Sequence, residues 1–173
     1  FVEELATVQK DGREFGEKYI RPVALELDRK IGEDSGYFPW DIVKKATEYG
    51  FLSYIIPKPF AGKGFYTTHF AVLMEELCSY CPGVANIFGA HALGLCPLLL
   101  SPDIRHYSRY MQKVALAEKK GEPLIFALAI TEPGAGSDVE DKDEFPTARL
   151  STYAKKVPGG YILNGRKVFI SNG

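Results

Sequence analysis

The run from Val84 to Leu100, VANIFGAHALGLCPLLL, contains no Asp, Glu, Lys or Arg, and it narrows the choice of fold more than any other segment. Apolar surface on that scale is stable only when most of it leaves water. The run falls short of the roughly 20 residues that span a bilayer, so it predicts a buried helix with other elements packed around it. Neighbouring patterns supply those elements. Val2, Leu5, Val8, Phe15 and Tyr19 share one helical face, with Gly12 and Gly16 as its weak points. Ile42, Val43, Ala46 and Tyr49 mark a short helix opened by Pro39 and closed by Gly50. Phe70, Leu73, Met74, Leu77 and Cys78 are spaced for another that ends at Pro82. Ile104, Tyr107, Tyr110, Met111 and Val114 build a last helix, with Asp103 as its cap.

After Gly121-Glu-Pro123 the periodicity changes. Leu124 to Ile130 is a short apolar run bounded by turn residues, and Gly160 to Ile170 spells two short strands around Asn164-Gly165, the strongest dipeptide signal for a hairpin. Ala148 to Val157 has room for a further strand, and Glu140 to Glu144 is a charged surface loop. Helices first and antiparallel strands second predict an α+β fold: an all-α domain over 1–122, then the beginning of an antiparallel β-domain over 123–173. An apolar fraction of 46% suits a chain with a real core, and a net charge of -1 leaves no basic face for nucleic acid or membrane. The chain opens on Phe1 and stops at a strand followed by a turn, the pattern expected of a fragment.

Few residues invite chemistry directly. Cys78-Ser-Tyr-Cys81 is a CxxC with His91 and Cys96 downstream, but it lies at a helix C-terminus, where the dipole does not lower a thiol pKa. His91 and Cys96 fall on different helix faces, so no zinc site is expected, and three buried, reduced thiols are the favoured alternative. Such thiols suit a reducing compartment. Ser137 lies outside any Gly-x-Ser-x-Gly elbow. Gly134-Ala-Gly136 begins like a dinucleotide fingerprint, but no amphipathic helix follows. That leaves the loop AITEPGAGSD, Ala129 to Asp138, open to two readings: a plain surface turn, or a cradle in which glycines bring backbone N–H groups to an anion while Thr131 and Ser137 add hydroxyls.

In combination, Ala129 to Asp138 and GYILNGRKVFISNG, Gly160 to Gly173, resemble the paired middle-domain motifs of the acyl-CoA dehydrogenase family. Asp28, Phe38-Pro39, Gly50-Phe-Leu, Ile56-Pro57 and Ala61-Gly62-Lys-Gly64 are similar, in order, to its helical N-terminal domain and glycine-rich turn. The resemblance implies a flavoenzyme that oxidises an acyl-CoA thioester to the trans-2-enoyl-CoA, with a β-barrel middle domain and a C-terminal helical domain absent here. It implies FAD held by Leu128, Ile130, Thr131, Gly136, Ser137, Phe169, Ile170 and Ser171, with Ser137 also beside the substrate. It further implies an electron-transferring flavoprotein as acceptor, a homo-oligomer when full length, and a cytoplasmic or mitochondrial-matrix location.

The chain departs from the family pattern at several positions. Ser171 stands for a commoner threonine, Phe169 for a commoner tryptophan and Ala61 for a glycine; Asp141 lies in a lengthened loop between Asp138 and Tyr161. The catalytic base, a glutamate in the family, is expected C-terminal to Gly173. Glu132 is expected to make a structural hydrogen bond instead. The helix from Val84 to Leu100, with Gly89, Ala90, Ala92 and Gly94, is either one wall of an acyl pocket or plain core. Two alternatives share these features: a flavin-dependent oxidase or monooxygenase on the same fold, and a non-catalytic fragment or subunit.

Overall fold

The computed structural model describes all 173 residues, which form two compact units, Phe1–Phe126 and Ala127–Gly173. The first is helical. Helix α1 (Val2–Phe15) runs on through a wider π-turn, Gly16–Ile20, and buries Val8, Gly12, Phe15, Gly16 and Ile20, while Val2 stays exposed. Helices α2 (Ala24–Glu33), α3 (Trp40–Tyr49), α4 (Thr67–Tyr80), α5 (Pro82–Leu99) and α6 (Gln112–Glu118) follow.

The two glycines of α1 have a packing reason. A Cβ at Gly12 would lie 3.0 Å from the Glu76 Cβ, and one at Gly16 would run into the Tyr80 ring. Both allow α1 and α4 to approach closely, and Arg13 bridges to Glu76 at 2.9 Å across the same contact.

The long apolar run is the central helix α5, starting two residues earlier than expected because Pro82 begins it. Cys81, extended ahead of a proline, separates it from α4. At 18 residues and a mean hydropathy of 1.3, α5 is long and apolar enough to cross a membrane by length and composition, which corrects the expectation that it falls short. Nine of its residues are buried against the other helices, which accounts for its composition as a core element.

Helix α2 carries a narrow apolar stripe, Ala24, Leu27 and Ile31, of which Leu27 alone is buried; Leu25 is 89% exposed, and Glu26 pairs locally with Arg29 and Lys30. Gly50 closes α3 in the left-handed conformation, φ 69°, as the sequence predicts. Asp103 accepts the Arg105 amide at 3.0 Å ahead of the last helical stretch.

Between α3 and α4 the chain is irregular but buried: Phe51, Leu52, Ser53, Tyr54 and Ile56 are all 4% exposed or less. Buried backbone needs partners, and two side chains provide them. Glu118 on α6 accepts the amides of Leu52 (2.7 Å) and Ser53 (3.1 Å), and His91 on α5 meets the Leu52 carbonyl at 2.9 Å.

The second unit contains a two-stranded antiparallel sheet, β1 (Tyr153–Val157) and β2 (Gly160–Asn164), with Val157 opposite Gly160. Its turn is Pro158-Gly159, which corrects the expectation of a hairpin around Asn164-Gly165. Proline fixes the first turn position and Gly159, φ 83°, supplies the second, the combination a type II turn requires. Gly165 ends the strand instead, where a Cβ would strike Thr152. Leu124 to Ile130 carries no regular secondary structure.

Candidate functional site

The loop AITEPGAGSD is a turn at its centre. Glu132 and Ala135 exchange both backbone hydrogen bonds, at 2.9 and 3.2 Å, with Pro133 and Gly134 at the corner. Gly136 and Ser137 follow on the surface, and a Cβ at Gly136 would meet nothing within 4 Å. The Gly136 amide, however, donates to Asp138 Oδ1, so it is already used locally rather than left to an anion.

The two motifs meet in this unit. The Val168 N–H donates to the Thr131 carbonyl at 3.0 Å, and Lys167 Nζ reaches the Ile130 carbonyl at 2.7 Å. Lys167 also pairs with Glu132 Oε1 at 2.8 Å. Glu132, 3% exposed, accepts the Ser151 amide and hydroxyl, both at 2.6 Å, and the Thr152 amide at 3.0 Å. These donors, Lys167 first among them, hold the carboxyl far below the usual carboxylate range. The expected structural role of Glu132 is thus visible, whereas Lys167 was legible only as one cation in a strand.

Phe169 stands out beside them. The residue is 92% exposed and its φ is 58°, a conformation costly for a large side chain. Ile170 and Gly173 close a turn through a 3.1 Å bond, with Ser171 between them. Thr131, Ile130, Phe169, Ile170 and Ser171 therefore lie on two adjoining segments, Leu128 lies two residues before Ile130, and Gly136 and Ser137 lie beyond the turn.

The helical unit holds a separate feature. An apolar cavity of about 400 Å³ is lined by Ile55, Phe65, Phe70, Gly89, Leu93 and Leu99 among others. Of the small residues on α5, Gly89 and Ala92 face it; Ala90 and Gly94 are buried elsewhere in the core.

No three metal-ligating side chains converge. His91 illustrates why: Nδ1 accepts the Phe126 amide at 2.9 Å, so the proton is on Nε2, directed at the Leu52 carbonyl. Burial pushes its pKa down to about 4, and it stays neutral. The thiols differ from expectation. Cys78 is exposed and Cys81 and Cys96 are half-buried, because Leu73 and Leu77 define the inner face of α4.

Residues 2–118 match the family described as acyl-CoA dehydrogenase, N-terminal domain. Two curated relatives are each 34% identical over 99% of this chain: a 3-(aryl)acrylate reductase of Clostridium sporogenes, and subunit CarC of the caffeyl-CoA reductase-Etf complex of Acetobacterium woodii. The chain spans 41% of the length of each. Among solved structures, butyryl-CoA dehydrogenase from Megasphaera elsdenii superposes with a TM-score of 0.79 at 25% identity, covering all of this chain and 42% of that one. An acyl-CoA dehydrogenase complexed with FAD from Bacillus anthracis gives 0.76 at 26% identity, over 98% of this chain and 27% of that one.

Proposed function

We propose that this chain, which belongs to the acyl-CoA dehydrogenase family, supplies the flavin-side part of a site that converts an acyl-CoA thioester to its trans-2-enoyl-CoA. The observation that carries the reading is the joining of the two motifs through Val168, Lys167 and Glu132. It sets Ile130-Thr131 beside the segment ending in Phe169-Ile-Ser171.

The residues fit FAD best on the ring side. A bare aromatic ring held in strained backbone at Phe169 is what a planar partner would cover. Leu128, Ile130, Thr131, Phe169, Ile170 and Ser171 would hold the ring system. Gly136 and Ser137 would face the diphosphate and the substrate's thioester arm, with Gly136 contributing space rather than its amide, given Asp138. FAD held there would supply the two-electron acceptor for the hydride leaving the substrate's β-carbon. The task left to Thr131 is to present a hydroxyl and an N–H where negative charge develops. Neither Glu132, committed to Lys167, Ser151 and Thr152, nor Glu118, committed to Leu52 and Ser53, is available as the base.

The cavity beside Gly89 is proposed as the acyl site, since its lining is almost wholly apolar. Its aromatic residues Phe65, Tyr66 and Phe70 favour a second reading on the same chemistry, reduction of an aryl-acrylyl thioester, in line with the relatives' names. An electron-transferring flavoprotein is the proposed electron partner, as the complex containing CarC suggests.

The test is the full-length gene product and its Thr131→Val variant. The wild type is expected to purify with flavin absorbance bands, and the variant to be reduced by acyl-CoA on the order of a hundredfold more slowly. A colourless wild type, or equal reduction rates, contradicts the reading.

A further inference from the structure

Lys167 lies outside residues 2–118, the stretch matched to the family. Its ammonium holds the Ile130 carbonyl and is itself held by a buried Glu132. In a trans peptide the C=O and the next N–H point in opposite directions. Fixing the Ile130 carbonyl toward Lys167 therefore turns the Thr131 N–H to the opposite side, where no backbone carbonyl accepts it. The next carbonyl, that of Thr131, is taken by the Val168 amide. Two successive carbonyls are thus held by the same neighbouring segment, one by the Lys167 side chain and one by the Val168 amide.

We infer that Lys167 and Glu132 are a positioning pair that aims the Thr131 N–H at the flavin, an inference that rests on the flavin reading above. Glu132 fixes the ammonium, and Ser151 and Thr152 fix Glu132, so the chain of contacts runs from the strand β1 side of the unit to the peptide that faces the ligand. Neither side chain needs to touch the flavin for this. The pairing also balances charge, since a lysine without Glu132, or Glu132 without its lysine, would leave one ion unpaired in a partly dry site.

The experiment uses the full-length protein and three forms: wild type, Lys167→Arg, and the charge-balanced double variant Lys167→Met with Glu132→Gln. The double variant is expected to keep the wild-type circular dichroism and melting transition. It is also expected to release FAD about tenfold more readily, with displaced flavin bands and a lower reduction potential. Lys167→Arg, which keeps the charge and donors, is expected to restore band positions and potential. Wild-type affinity, spectrum and potential in the double variant overturn the inference, as does an arginine variant that fails to rescue. A double variant that does not fold assigns the pair to folding alone and overturns it too. A wild type without flavin overturns the flavin reading itself, a result distinguishable from the others.

Discussion

At position 61 an alanine holds φ 68°, a left-handed conformation that glycine adopts without strain. Its neighbour Gly62 has the opposite constraint, for a Cβ there would strike the Ile56 carbonyl. Adjacent substitutions should therefore act in opposite directions: Ala61→Gly is expected to stabilise by about 1 kcal/mol, and Gly62→Ala to destabilise by about 2 kcal/mol. Urea unfolding followed by circular dichroism checks both, and a stabilising Gly62→Ala would refute the packing described. Single-residue chemistry was partly legible in sequence. A glycine-rich turn was evident around Ala61, and so was a structural use for Glu132. Lys167 was hidden because its meaning depends on a carboxylate 35 positions away and a carbonyl 37 away, a tertiary fact no local pattern carries.

At the scale of elements, the buried irregular segment after α3 depends on side chains from two helices. Replacing Glu118 by alanine strands the amides of Leu52 and Ser53 in the core, with an expected loss of about 3 kcal/mol. Denaturant midpoints measure it, and a loss below about 1 kcal/mol would mean that water replaces the carboxylate. His91 adds a pH dependence. Its pKa falls from 6.5 to about 4 on folding, so below pH 6.5 the unfolded chain takes up a proton that the folded one refuses. This contribution is complete above pH 6.5 and is lost as pH drops toward 4, by about 3 kcal/mol in all. Glu118 opposes it: burial raises its pKa, so its contribution is present at low pH and fades as pH rises past its folded value. The difference between wild type and His91→Gln, measured from pH 7 to 4, isolates the histidine. A difference that does not change with pH contradicts the assignment.

Elements with an apolar stripe or a glycine stop, such as α3 and α5, could be read from sequence. Helix α2, whose narrow stripe of Ala24, Leu27 and Ile31 buries one residue, was passed over, and the hairpin turn was misplaced because Asn164-Gly165 outranks Pro158-Gly159 on local propensity alone. Gly165 has instead a tertiary role, since a Cβ there would strike Thr152.

At the scale of the whole molecule, the chain has a helical unit with an apolar cavity and a second unit in which two motifs are clasped together. It spans 41% of the length of its curated relatives, and the complete activity is proposed for the full-length protein. The family was legible because the motifs are local strings. The choice of substrate was not, because the cavity is assembled from Ile55, Phe65-Tyr66, α4 and α5, and its volume depends on which side chains turn inward. The most direct measurement of the central claim is an anaerobic titration of the flavin-loaded full-length protein with saturated acyl-CoA thioesters, straight-chain and aryl-substituted, followed by visible absorbance. Bleaching of the flavin bands by at least one thioester, with formation of its trans-2-enoyl product, is the expected result. Unchanged bands with every thioester would contradict the account.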